Sequence, residues 1–218
     1  MVLARLINAE HLQVRIKANL KDLLAGKLDS LTIEMFGFLL RRHLRVAEFQ
    51  FDIGASAVNL QSVRHRKIEL LHPSEGRVRM VISQEQLTDF LNTELASLSQ
   101  EQQNEIQLQQ VKCELKEDSA IAFHFNWINA KVNNSGSCIT LPQIQTNGNA
   151  VMLAQQHTID QKELPDKFVN TAITQLIEIL SLTDIANRGS TFHIEQIKLE
   201  TGKITVTANA YIEQFPSN

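Results

Sequence analysis

Between Pro165 and Arg188 the chain carries Phe168, Val169, Ala172, Ile173, Leu176, Ile177, Ile179, Leu180, Leu182 and Ile185, an apolar stripe too wide for a helix lying on a surface. Pro165 suits a first helical turn, where its missing N–H is no loss, and Asp166 complements the positive end of the helix dipole. Gly189 follows the predicted end. A helix this apolar needs a cover on nearly every side, and the rest of the chain has to provide it.

That rest reads mostly as strand. Ile121, Phe123, Phe125 and Trp127 alternate with Ala122, His124 and Asn126; Phe49, Phe51 and Ile53 alternate with Gln50 and Asp52; Leu31, Ile33 and Met35 keep the same period. After Met35 the apolar parity moves to Phe36, Phe38 and Leu40, then Leu44 and Val46, which predicts a bulge or bend near Gly37. Thr201-Gly202, between two alternating runs, predicts a hairpin. A further helix is predicted from Ser83 to about Gln103. Ser83 and Gln86 form a capping box, Leu87, Phe90, Leu91, Leu95 and Leu98 an apolar face, and Gln84, Glu85, Asp89 and Glu94 a polar one. Long strands joined by turns are mainly antiparallel. The expected fold is therefore α+β, a long, strongly curved antiparallel sheet wrapped around a long helix, with residues 1–218 as one domain and a seam hinted only by the Gln-rich stretch from Gln100 to Gln110.

Composition narrows function. With 43% hydrophobic and 21% charged residues in 218, the chain is neither disordered nor low in complexity, and a net charge of −3 argues against a dedicated nucleic-acid binder. Two cysteines, Cys113 and Cys138, exclude a disulfide framework and read as free thiols in a reducing compartment. Met1 to Leu12 is interrupted by Arg5, Asn8, Glu10 and His11, so no secretory signal is expected, and no run reaches the roughly 18 to 20 apolar residues that span a bilayer. The expected location is cytoplasmic, or peripheral on the inner face of a membrane. Nucleotide-loop, nucleophile-elbow and zincin motifs are missing, and the seven histidines lack ligand spacing, so no enzyme, metal or cofactor is expected.

Two basic clusters remain. Arg41, Arg42, His43 and Arg45 follow one apolar strand, and Arg64, His65, Arg66 and Lys67 stand in a connection. Guanidinium forks suit phosphate oxygens, so headgroup or membrane contact is one reading. Solvated sheet edges that discourage edge-to-edge pairing are the other.

Several runs carry a resemblance: Leu20-Lys21-Asp22-Leu23-Leu24-Ala25-Gly26-Lys27-Leu28-Asp29-Ser30-Leu31, Arg41-Arg42-His43-Leu44-Arg45-Val46, and Val81-Ile82-Ser83-Gln84-Glu85-Gln86-Leu87-Thr88-Asp89-Phe90-Leu91-Asn92. With these the chain resembles the bacterial LmeA-like phospholipid-binding family, and its close, Ile197 to Lys203 with Ala210 to Glu213, is similar to the family's cyanobacterial branch. The resemblance implies a fold akin to tubular lipid-binding (TULIP-like) domains and phospholipid binding at an envelope or internal membrane. It differs from actinobacterial members, which carry an export signal or anchor. Under this reading phospholipid or fatty acid is the partner, at an anionic membrane surface and without nucleic acid. Acyl chains lie in a groove of Phe36, Phe38, Phe49, Phe51, Phe123, Phe125, Phe168, Ile173, Leu176, Ile177 and Leu180, and Arg41, Arg42, Arg45, Arg64, Arg66 and Lys67 meet headgroups or membrane. The same apolar residues also fit a rival, a scaffold with a packed core and no ligand.

Overall fold

A computed structural model describes residues 9–59, 69–116 except 101–105, 119–148, 151–158, 165–186 and 190–214. The chain runs β1 (His11–Lys17), α1 (Leu20–Leu24), β2 (Lys27–Leu28), β3 (Ser30–Arg41), β4 (Leu44–Ile53), β5 (Ser56–Ala57), β6 (Glu69–Ser83), α2 (Gln84–Gln100), β7 (Ile106–Leu115), β8 (Ile121–Asn129), β9 (Val132–Ile144), β10 (Val151–Thr158), α3 (Asp166–Leu180), β11 (Ser190–Glu200) and β12 (Lys203–Gln214). The strands divide between two antiparallel sheets instead of forming the single sheet expected, one ordered β1-β3-β4-β6-β12-β11 and one β10-β9-β8-β7, with a ribbon of β2 and β5. Alternation marks which face of a strand is apolar; it does not name the neighbour. One contiguous core takes side chains from both sheets and from α2 and α3.

The predicted start of α2 is present atom for atom. The Gln86 N–H donates to Ser83 Oγ (3.1 Å) and the Ser83 N–H to Gln86 Oε1 (3.0 Å), a reciprocal capping box. Leu87, Phe90, Leu91 and Leu95 are buried. The polar residues beside them have a structural role. Leu115 N–H donates to Gln84 Oε1 (2.9 Å), Cys113 N–H to Thr88 Oγ1 (3.2 Å) and Val111 N–H to Asn92 Oδ1 (2.8 Å), while Asn92 Nδ2 returns a bond to the Val111 carbonyl (2.7 Å). Side chains at every fourth helical position thus pair with every second residue of β7, the edge strand of the smaller sheet.

Helix α3 is shorter than expected and has one wet side. It ends at Leu180, and Leu182 enters the left-handed region (φ 56°). Leu182 is still buried and Ile185 still packs on the core, both from turns. Lys167, Asn170 and Thr174 line the exposed side, so the stripe is covered on one flank and not all round. The Ser181 hydroxyl accepts from the Val151 N–H (2.9 Å), tying the helix end to β10.

At Gly37 (φ 59°) the inner face of β3 changes parity: Met35 and Phe38 are both buried, and opposite them so are Phe49 and Val46. The predicted Thr201-Gly202 turn closes β11 onto β12, with Gly202 at φ 81°.

Cys113 and Cys138 are free and buried, both opposite Phe123 on neighbouring strands. Two strand spacings separate them by about 10 Å, beyond the reach of a disulfide. Burial, with the Glu114 charge adding to it, pushes the Cys113 thiol up to about 12, and burial raises Cys138 as well.

The core and its ties set three expected outcomes. Leu176→Ala, at a fully buried site, should cost about 2–5 kcal/mol in chemical denaturation, against about 0.5 kcal/mol or less for exposed Thr174→Ala. Asn92→Ala should cost about 1–3 kcal/mol by orphaning the Val111 peptide groups. Neither thiol should react with Ellman's reagent in the native protein, and both should once denaturant is added.

Candidate functional site

Residues directly opposite in an antiparallel ladder point to the same side. The register of the larger sheet therefore lines up three transverse rows on one face. The first holds Leu12, Met35, Phe49, Met80, Val206 and Ile197; the second Val14, Ile33, Phe51, Val78, Ala208 and Ile194; the third Ile16, Leu31, Ile53, Gly76, Ala210 and Phe192. Every position is apolar or glycine. A Cβ at Gly76 would lie 2.7 Å from the Asp52 carbonyl oxygen and 3.0 Å from the Phe51 ring, so glycine is what lets that ring lie across the row.

The opposite face is polar. Gln13, Glu34, Gln50 and Arg79 form one of its rows and Arg15, Thr32, Asp52 and Arg77 the next. Arg15 pairs with Glu34 (2.7 Å), the Thr32 hydroxyl donates to Asp52 (2.8 Å), and Arg79 pairs with Glu48 (2.5 Å).

Cover fails toward one edge of the apolar face. Met80, Val78, Val206 and Ala208 are buried, Ile33, Leu31 and Phe51 are half-buried, and on β1 Leu12, Val14 and Ile16 are 46%, 49% and 58% exposed. Helix α2 packs over β4 and β6 in the middle of the sheet, and the apolar face continues past it to β1 as an open margin. Sequence reasoning passes over β1, although the signal is there: Leu12, Val14 and Ile16 alternate with His11, Gln13, Arg15 and Lys17.

The residues singled out from sequence separate into three groups. Phe38, Phe49, Phe123, Phe125, Phe168, Ile173, Leu176 and Leu180 are buried together in the core, with ring centroids 5.9 Å apart for Phe38 and Phe49 and 6.3 Å for Phe123 and Phe125. Phe51 and Ile177 lie partly buried at its boundary. Phe36 does not join them. It is exposed on the polar face opposite His11 and Glu48, because the parity change occurs at Gly37 itself, one residue later than the pattern suggests.

Among the basic residues, Arg41 is engaged internally. Its Nε donates to Asp184 (2.5 Å), Nη1 to Gln175 Oε1 (2.5 Å) and Nη2 to Glu178 (2.8 Å), fastening the end of β3 to α3 and the turn after it. Burial works against its charge, yet the two carboxylates outweigh burial and hold the guanidinium pKa above its usual value. Arg45 donates to the Gly37 carbonyl (2.6 Å), and Arg42 is exposed in the hairpin turn. A cleft of about 570 Å3 opens there between α2 and α3, with Arg41, Arg42, His43, Phe90, Glu94 and Gln175 in its wall, and Arg41 is already paired with Glu178 and Asp184. Arg64, Arg66 and Lys67 lie outside the described residues. Among the described residues no carboxylate, histidine and cysteine group is arranged to hold a metal ion, and no helix is long and apolar enough to cross a membrane.

The two arginines should separate by substitution. Arg41→Ala should lower stability by about 1–3 kcal/mol in thermal or urea unfolding, since it leaves two acids and an amide without their donor, and Arg42→Ala should change it by about 0.5 kcal/mol or less.

No curated protein and no solved structure matches the chain. A family does, over residues 2–209 of the 218, which is nearly the whole length and includes the open margin, all three helices and every strand but the end of β12. The chain belongs to the LmeA-like phospholipid-binding family.

Proposed function

We propose that the chain is a non-enzymatic phospholipid-binding protein working at a membrane surface, with an acyl chain laid along the open apolar margin of the larger sheet. The observation that carries this reading is the run of three apolar rows whose β1 ends are left in water, in a chain whose family is described by phospholipid binding. Leu12 to Ile16 extends about 13 Å along β1, and each methylene removed from water there contributes about 0.8 kcal/mol. The tightly buried phenylalanines favour a lipid held at the boundary of the core, against Ile33, Leu31 and Phe51, over one threaded through its centre. A one-sided trough roofed by helices is compatible with a tubular lipid-binding (TULIP-like) kinship. The packed scaffold accounts for the core equally well but gives no reason for an apolar face that outruns its cover.

Protein purified without added lipid should carry phospholipid or fatty acid in native mass spectra, and should bind a fluorescent phospholipid that unlabelled lipid displaces. Val14→Glu combined with Ile16→Glu should weaken that binding by about tenfold or more, whereas Gln13→Glu on the polar face should not, and neither should shift the melting temperature much because all three sites are exposed. A lipid-free mass together with no fluorescent-lipid binding would return the chain to the scaffold reading.

A further inference from the structure

The short helix α1 displays apolar side chains where folding has no use for them. Leu20, Leu23 and Leu24, at the i, i+3 and i+4 positions that share one helix face, are 75%, 46% and 74% exposed, and none of the residues of α1 is buried. The knuckle is nevertheless firmly held. The Asp22 N–H donates to the Asn19 side chain (2.8 Å) at its start, and at its end the Gly26 N–H, in a left-handed turn (φ 75°), donates to the Leu23 carbonyl (3.0 Å). Two further backbone bonds moor it, from Asp29 N–H to the Lys17 carbonyl (2.8 Å) and from Val58 N–H to the Gly26 carbonyl (2.8 Å). Lys17 stands at its entry, Lys21 on its flank and Lys27 at its exit, all exposed and without an ion pair among the described residues. Of the two acids in the same stretch, Asp22 is engaged by Asn19. Three lysines against two aspartates over residues 17–29 make this end locally positive in a chain of net charge −3.

We infer that α1 is a membrane-docking wedge, its three leucines entering the interface of an anionic phospholipid bilayer while Lys17, Lys21 and Lys27 meet the lipid phosphates. The choice of a bilayer as partner rests on the phospholipid-binding reading. Charge complementarity favours it over a second copy of the chain, because stacking two leucine faces would bring together two stretches that are each net positive, six lysines against four aspartates. The wedge follows directly on β1, so docking sets the open margin beside the membrane from which a lipid would move. It also relocates membrane contact: Arg42 lies at the far end of β3, about 35 Å along the strand.

The test uses flotation with vesicles of phosphatidylcholine and phosphatidylglycerol, and with phosphatidylcholine alone. The wild type should partition to the anionic vesicles, and more weakly as salt rises. Leu20→Ser, Leu23→Ser and Leu24→Ser together should reduce partitioning about tenfold or more, and each Lys→Gln change about fivefold, while Arg42→Glu leaves it unchanged. In Leu24→Trp the added emission should shift to the blue on anionic vesicles. Serine variants that melt like the wild type and still float, or a tryptophan whose emission stays unshifted at saturating vesicle, would overturn the wedge, as would leucine-dependent dimers with no partitioning. Binding of a soluble short-chain phospholipid is measured in parallel. Its loss from the wild type with leucine-dependent flotation intact would sink the margin as a lipid site and leave the wedge standing.

Discussion

The two sheets are joined by side chains that stand in for a missing strand. A buried sheet edge must find partners for its peptide groups, and β7 finds them in Gln84, Thr88 and Asn92 of α2. The match is geometric: four helical residues rise about 6.0 Å and two strand residues about 6.8 Å, so three contacts stay in step. Gln84 is the hub. Its side chain accepts from Leu115 while its own N–H donates to the Gly202 carbonyl of the β11–β12 turn (2.8 Å), so one residue at a helix start binds the hairpin of one sheet and the edge of the other. The capping box sets this geometry, because it fixes where α2 begins and therefore which side chains meet β7.

With α3 bound to β10 through Ser181 and packed beside α2, it is α2 that lies over β4 and β6 in the middle of the larger sheet, away from its β1 end. The open margin is the remainder of that arrangement. A lipid-binding protein needs apolar surface that water reaches and folding does not consume, and a face wider than its roof provides such surface. The exposed leucines of α1 extend the same chemistry past the sheet.

Local chemistry is readable from sequence, and pairing is not. Ser83 with Gln86, the Thr201-Gly202 turn and the change of face near Gly37 each depend on neighbours within a few positions. The split into two sheets depends on which strands meet, which period-two alternation cannot encode. Arg41 reads as a ligand for phosphate because Gln175, Glu178 and Asp184 lie more than 130 positions away in the chain. Gln84 reads as solvated because a polar residue beside an apolar stripe usually is. β1 escapes for a simpler reason: the alternation of Leu12, Val14 and Ile16 covers only three apolar positions, too short a run to stand out from the polar residues around it.

The placement of the two cysteines separates this fold from the chemistry of its surroundings. Burial shields both thiols and raises their pKa, and the two lie too far apart to bridge, so neither a glutathione pool nor an oxidising envelope has a covalent handle on the native state. Burial and separation together leave them no partner within the fold, so two free thiols do not by themselves point to a reducing compartment. A fold whose thiols cannot bridge keeps the same covalent bonds in a reducing and in an oxidising compartment, so redox conditions do not restrict where the chain can hold its shape.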